Sequence, residues 1–260
     1  MGYDRPVRVV VLASGSEGNA CVVHAGDTAL LIDGGIAPRT LDQKLAALGV
    51  RRLDGIVVTH AHADHVGHSP RIAARHGVPI HATESTLRAA ALDRACTRLF
   101  SAREPFAVGA LQVVPCPVPH DQAQVALRVE HGGRRVAVVT DLGEGTAALG
   151  AHVADVDVLL IEANHDLDLL ARGPYPQALK RRVASSKGHL SNEQCAEIVR
   201  QSRASTVVLM HLSRTNNRPE LARAVVSDAL TPRRRVDLLV APRRGSLSVS
   251  TRATQTAFAF

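Results

Sequence analysis

Short apolar runs broken by Gly, Ser, Pro and Asp dominate the first third of the chain. Residues 7–13, 20–24 and 29–33 are rich in Val, Ala and Leu and read as strands, with Gly26-Asp27 as a hairpin turn. Pro38 stands near the first turn of a predicted helix over residues 38–48. Residues 55–59 form a further strand, and a helix is predicted over residues 65–76, stopped by Gly77 and Pro79. The middle of the chain repeats the alternation. Residues 107–115 read as a hairpin, and strands 125–130 and 134–140 flank the turn Gly132-Gly133. A buried strand over 157–162 follows. Ser191-Asn192-Glu193-Gln194 is a capping box that opens a helix to Gln201. A strand over 206–210, a helix over 219–230 and strands over 236–240 and 246–250 complete the pattern. Strand runs alternating with helices in both halves predict an α/β protein with two sheets between helix layers. Residues 1–250 are expected to form a single domain, and 251–260 a frayed, disordered tail.

Composition refines this picture in three places. Aromatic residues make up only 2% of the chain and Trp is absent, so the core must be aliphatic. The net charge of +7 favours a polyanionic partner, nucleic acid first. No apolar stretch reaches membrane-spanning length, and the N-terminus has no apolar signal core, which excludes the membrane and points to the cytoplasm. Cys21, Cys96, Cys116 and Cys195 form no C-x-x-C pair and read as free thiols, with Cys21, Cys116 and Cys195 in predicted core elements.

The chemistry concentrates in Thr59-His60-Ala61-His62-Ala63-Asp64-His65, directly after an apolar strand. Imidazole and carboxylate groups at this density fit a hydrolytic divalent metal centre. In an extended loop alternate side chains point the same way, so His60 and His62 can grip one ion. Asp64 and His65 face a position beside it. Further candidates stand where apolar strands meet loops: His120 after a Pro-rich run, Asp141 and His211.

The order His-x-His-x-Asp-His, then His120, Asp141 and His211, resembles the metallo-β-lactamase superfamily. The resemblance implies an αββα sandwich of two mixed sheets, with two metals in the cleft at the sheet edges. It assigns His60, His62 and His120 to one ion, Asp64, His65 and His211 to the other, and Asp141 to both. Two such ions lower the pKa of a shared water toward neutrality. Asp64 then accepts the proton of that water.

Four further segments are Ser14-Gly15-Ser16-Glu17-Gly18-Asn19, Glu162-Ala163-Asn164-His165-Asp166, Gly188-His189-Leu190-Ser191-Asn192 and the run from His211 to Asn217. In this order they resemble the WalJ/YycJ-like metallohydrolases, which implies a bacterial DNA exonuclease working from 5′ ends. The Glu162 strand followed by Gly188-His189 is more distantly similar to tRNase Z; that similarity implies that Glu162 orients His189 and that His189 protonates the leaving oxygen. Ser14, Ser16, Asn19, Asn164, His165, Lys187 and Ser191 are the candidates for substrate binding, with the helix opened by Ser191 offering N–H groups to phosphate. The Asp64-His65 pair departs from the zinc β-lactamases. The expected function is a dinuclear phosphodiesterase using Zn or Mn, with Fe as a third option, and acting on DNA ahead of RNA through phosphate contacts. A small-molecule phosphodiesterase and an iron redox protein are the alternatives. Lys180-Arg181-Arg182 are the favoured phosphate contacts, whereas Arg233-Arg234-Arg235 read as a solvated turn; Arg243-Arg244 is a third basic pair.

Overall fold

A computed structural model describes residues 6–230, 235–243, 245–251 and 256–258. The strands are β1 (Arg8–Ala13), β2 (Ala20–Ala25), β3 (Thr28–Ile32), β4 (Gly55–Val57), β5 (Ile80–Ala82), β6 (Thr97–Leu99), β7 (Phe106–Val108), β8 (Leu111–Val118), β9 (Gln124–His131), β10 (Arg134–Val139), β11 (Val158–Glu162), β12 (Thr206–Met210), β13 (Asp237–Val240), β14 (Ser246–Ser250) and β15 (Thr256–Phe258). The helices are α1 (Pro38–Ala47), α2 (Ala63–Val66), α3 (Ser69–His76), α4 (Glu84–Ala89), α5 (Ala147–Val153), α6 (Leu167–Arg172), α7 (Gln177–Val183), α8 (Asn192–Gln201) and α9 (Pro219–Ala229). The α/β class, with two mixed sheets accompanied by helices, is as the sequence predicted.

One sheet has the order β15-β14-β1-β2-β3-β4-β5-β6. Its β14-β1-β2-β3 region is antiparallel, whereas β3 to β6 run parallel. The other sheet has the order β13-β12-β11-β10-β9-β8-β7, with β10 to β13 parallel. The parallel strands β11 and β12 are buried at every position, which matches the apolar runs over residues 158–161 and 207–210.

The chain groups into two compact units. The first comprises Met1–Pro115, Val129–Arg135 and Pro242–Phe260; the second comprises Cys116–Arg128 and Val136–Ala241. In the first, Leu41 and Leu45 of α1 and Ile72 of α3 pack on Val10, Val22, Leu31 and Ile56. In the second, Leu149 and Val153 of α5, Ile198 of α8 and Val226 of α9 pack on Val139, Leu159, Ile161 and Val207. Burial of such side chains contributes roughly 1.5–3 kcal/mol each.

One expectation is corrected. The helix predicted over residues 65–76 is two helices, because Pro70 has no N–H to donate to a continuing helix and a new helix starts at Ser69. Of the tail expected to fray, residues 252–255 and 259–260 lie outside the described residues. Thr251 N–H donates to Val7 O at 3.0 Å and its hydroxyl accepts from Val7 N at 3.1 Å, and Thr256–Phe258 pairs with β14. Arg233, Arg234 and Arg244 lie outside the described residues.

Candidate metal centre

In the first unit, parallel strands β3 and β4 deliver Asp33 and the Thr59–His65 loop side by side, in the register Ile32 to Val57. Asp33 takes a left-handed backbone, φ 63°. Its Oδ1 accepts from Thr59 N at 2.9 Å and its Oδ2 from His65 Nδ1 at 2.7 Å. The Thr59 hydroxyl lies 3.0 Å from Asp33 Oδ2 and 3.0 Å from His60 Nδ1. A hydroxyl has one proton, and an ionised carboxylate only accepts. Thr59 therefore donates to Asp33 and accepts from His60 Nδ1–H. Both His60 and His65 are thus held with the proton on Nδ1 and Nε2 unprotonated, the tautomer that can ligate a metal through Nε2. His60 Nε2 approaches His62 Nδ1 to 3.0 Å, two imidazole nitrogens converging on one point. His60 and His65 are fully buried, and Asp64 is partly exposed.

Sequence reasoning missed Asp33. Its signal was an acidic residue at a strand end, followed by Gly34-Gly35. A Cβ on Gly35 would stand 1.8 Å from Asp64 O, so only glycine lets the Asp64 backbone lie there. Asn19, predicted to bind substrate, is buried in this framework. Its amide donates to Gly15 O at 3.1 Å and to Asp64 Oδ2 at 3.1 Å and reaches His65 Nε2 at 2.9 Å, while its Oδ1 accepts from Gly15 N at 2.9 Å. Ser14 beside it is half-buried and Ser16 is exposed.

In the second unit the C-terminal ends of three neighbouring parallel strands carry Asp141, Glu162 and His211, where α/β sheets place their ligands. Asp141 and His211 again have left-handed backbones, φ 55° and 54°. His211 Nδ1 pairs with Asp141 Oδ1 and lies 3.4 Å from Glu162 Oε2. Glu162 is fully buried. Its Oε1 accepts from Leu190 N at 2.8 Å and Leu142 N at 3.3 Å, and its Oε2 accepts from His189 Nδ1 at 2.9 Å and Asp141 N at 3.3 Å. Asp141, Glu162, His189 and His211 each offer a ligand atom within 4.8 Å of the others. His120 donates its Nδ1–H to Gly188 O at 3.1 Å, which leaves Nε2, 3.3 Å from Asp121 Oδ1, as the nitrogen that could hold a metal.

Charge and burial compete here. Burial opposes a cation at His211, yet the Asp141 and Glu162 carboxylates outweigh it and hold the imidazole well above its ordinary pKa. Burial likewise opposes a charged His189, but Glu162 and then Asp141 raise it. Burial works against the Glu162 charge, and His189 more than offsets it, so the carboxyl sits below its usual range. At His120 burial prevails over the nearby carboxylates and keeps the ring neutral, the form that ligates metal. Imidazole nitrogens and carboxylates with no thiolate among them fit Zn, Mn or Fe.

The other predicted site residues divide. The Ser191 hydroxyl accepts from Gln194 N at 3.3 Å, and Asn192 N donates to His165 O at 2.9 Å. Ser191 N donates to Gln194 Oε1 at 2.9 Å. The first turn of α8 thus spends three of its amides internally, which corrects the expectation that they are open to phosphate. Asn164 is buried and donates to His211 O at 3.1 Å, fixing the His211 loop. His165 is buried with an unpartnered Nδ1, and Lys187 is exposed. The free thiols are Cys21, Cys116 and Cys195, all buried, and Cys96, which is exposed. No helix among the described residues is long and apolar enough to cross a membrane.

A sequence profile described as "Beta-lactamase superfamily domain" matches residues 27–212. Exodeoxyribonuclease YycJ of Bacillus anthracis is 32% identical over 231 residues, covering 85% of this chain and 88% of the relative. Exodeoxyribonuclease WalJ of Streptococcus pneumoniae is 31% identical over 233 residues, covering 85% and 87%. The metallo-β-lactamase fold protein YhfI of Bacillus subtilis superposes with a TM-score of 0.75 at 18% identity, covering 94% of this chain and 100% of that structure. The short form of human tRNase Z does so with a TM-score of 0.59 at 17% identity, covering 80% and 93%.

Proposed function

Because the chain belongs to the β-lactamase superfamily and is a metal-dependent hydrolase of the metallo-β-lactamase fold, we propose that it is a DNA exonuclease acting from 5′ ends. The coarser activity, a metal-dependent phosphodiesterase, has the support of the two exodeoxyribonuclease relatives. The observation that carries the reading into this chain's own residues is the Glu162–His189 pair at 2.9 Å.

The family assignment, carried over residue by residue, gives His60, His62 and His120 to one ion, Asp64, His65 and His211 to a second, and Asp141 to both. When bound, divalent ions lower the pKa of water and neutralise charge on a phosphoryl group. Asp64 takes the proton of the attacking water. Glu162 is buried, anchored by the amides of Asp141, Leu142 and Leu190, and donates nothing. It fixes the His189 ring and favours its protonated form. Nδ1 is held by Glu162, so Nε2 carries the proton that His189 gives to the leaving oxygen. An iron redox site would have no task for such an acid. Ser16 and Lys187, both exposed, remain available to the phosphate backbone. The net charge of +7 suits a cytoplasmic nucleic-acid partner.

The test uses end-labelled single- and double-stranded DNA and RNA, with chelated protein reloaded with Mn or Zn. Release of nucleotides from the 5′ end of DNA, lost in Asp64→Ala and His189→Ala, is expected. Cleavage of no polymer under any metal would overturn the reading in favour of a small phosphodiester substrate.

A further inference from the structure

From Leu167 to Val183 the chain forms two short helices and a turn that the chemistry above does not use. We propose that this segment is a clasp for the single-stranded end of the nucleic acid, in which Tyr175 stacks on a base and Arg172, Arg181 and Lys187 hold phosphates. The proposal rests on the nucleic-acid reading and adds which form of the strand is taken.

Tyr175 is the sole Phe, Trp or Tyr between residues 116 and 241. The core of this unit is aliphatic, and Tyr175 is not part of it. The residue is partly exposed. In a chain that spends aromatic residues so sparingly, this one is presented at the surface. Its mount is stiff. Pro174 and Pro176 fix the backbone on either side. Lys180 Nζ donates to Ala171 O at 2.6 Å, stapling α7 to the end of α6 across the turn. A stiff, ready-placed ring loses little freedom on binding.

Both ends of the segment rest on site loops. At one end, Asp166 N donates to Asn216 O at 2.8 Å, in the loop that follows His211. A Cβ on Gly173 would stand 2.7 Å from Asn216 Oδ1, so the turn sits directly on that loop. At the other end, His189 N donates to Val183 O at 2.9 Å. A Cβ on Gly188 would meet the carbonyl oxygens of Arg182 and Val183 at 2.2 Å. Arg182 is tied to Asp121 Oδ2 through Nη2 at 2.5 Å and Nε at 3.1 Å, beside His120. It acts as a strut.

The remaining charge faces solvent. Residues 167–188 carry five cationic residues against one carboxylate, Asp168. Arg181 is exposed and has no ion pair among the described residues. Arg172 meets only Asp168 at 3.4 Å, with both side chains about four-fifths exposed (81% and 79%), a contact that costs little to give up. Cations of this kind hold phosphates without regard to sequence. A ring can stack only on a base whose face is open, and duplex bases have none to offer except at the terminus.

The experiment measures binding of metal-loaded protein to a single-stranded oligonucleotide with hydrolysis-resistant phosphorothioate linkages, and to its duplex. Tighter binding of the single strand is expected. Tyr175→Leu should weaken it about tenfold and leave the duplex affinity alone, while Tyr175→Phe retains the single-strand affinity. Arg172→Gln with Arg181→Gln should weaken both and flatten the salt dependence. Unchanged single-strand binding in Tyr175→Leu, or a preference for duplex, would overturn the clasp while leaving nuclease activity of the wild type standing. A wild type that neither binds nor cleaves any polymer would overturn the clasp together with the nucleic-acid reading.

Discussion

Asp33, Asp141 and His211 share a conformation that side chains avoid, each just beyond the end of a strand. Left-handed backbone at such positions costs of order 1–3 kcal/mol and persists where the surroundings fix it. Here it turns the side chain to its partner. Asp33 shows the benefit most clearly, since one carboxylate orients His65 directly and His60 through Thr59. Asp33→Asn keeps a residue that tolerates the backbone but leaves His65 Nδ1 without an anion. Its metal affinity should fall roughly 10- to 100-fold in a competition titration with a chelator; unchanged affinity would show that the orientation is unnecessary. Elsewhere, burial pushes His81 and His152 down to about 4 from 6.5, with Arg98 and Arg128 adding to it. A histidine whose folded pKa is depressed contributes stability that is full above about 6.5, where both states are neutral, and is lost as pH falls toward the folded value. Each opposes folding in acid by about 3 kcal/mol once pH reaches 4. His81→Leu should therefore reduce the loss of stability between pH 7 and pH 4 in urea unfolding, and an unaltered slope would refute the assignment.

At the scale of elements, what the sequence showed depended on length. Strands β11 and β12 were legible because parallel strands buried on both faces carry apolar runs, here residues 158–161 and 207–210. The capping box at Ser191 was legible because its residues satisfy one another reciprocally. The segments β5, α4, β6, α6 and α7 were not, since three to seven residues carry too little periodicity to declare themselves. The α2–α3 break was hidden for a related reason, as four residues of α2 imitate the first turn of one longer helix. The candidate metal donors are proposed from spacing, whereas Asp33 and the framework role of Asn19 emerge only from tertiary contacts. Ser191 tests the cap. Ser191→Ala should cost about 1 kcal/mol in chemical denaturation. It should also slow phosphodiester cleavage, because Leu190 N, next to the cap, anchors Glu162. A loss of stability with full activity would separate the cap from the site.

At the scale of the whole chain, the superfamily match over residues 27–212 spans parts of both compact units, and each unit carries candidate metal donors. His60, His62, Asp64 and His65 come from the first, and His120, Asp141 and His211 from the second. The proposed assignment calls on both sets. Turnover of bis-para-nitrophenyl phosphate during titration of chelated protein with Mn tests this most directly, in the wild type and in His60→Ala and His211→Ala. The account expects no turnover without metal, saturation near about two ions per chain, and severe loss in either variant. Turnover by metal-free protein, or full activity in either variant, would contradict it.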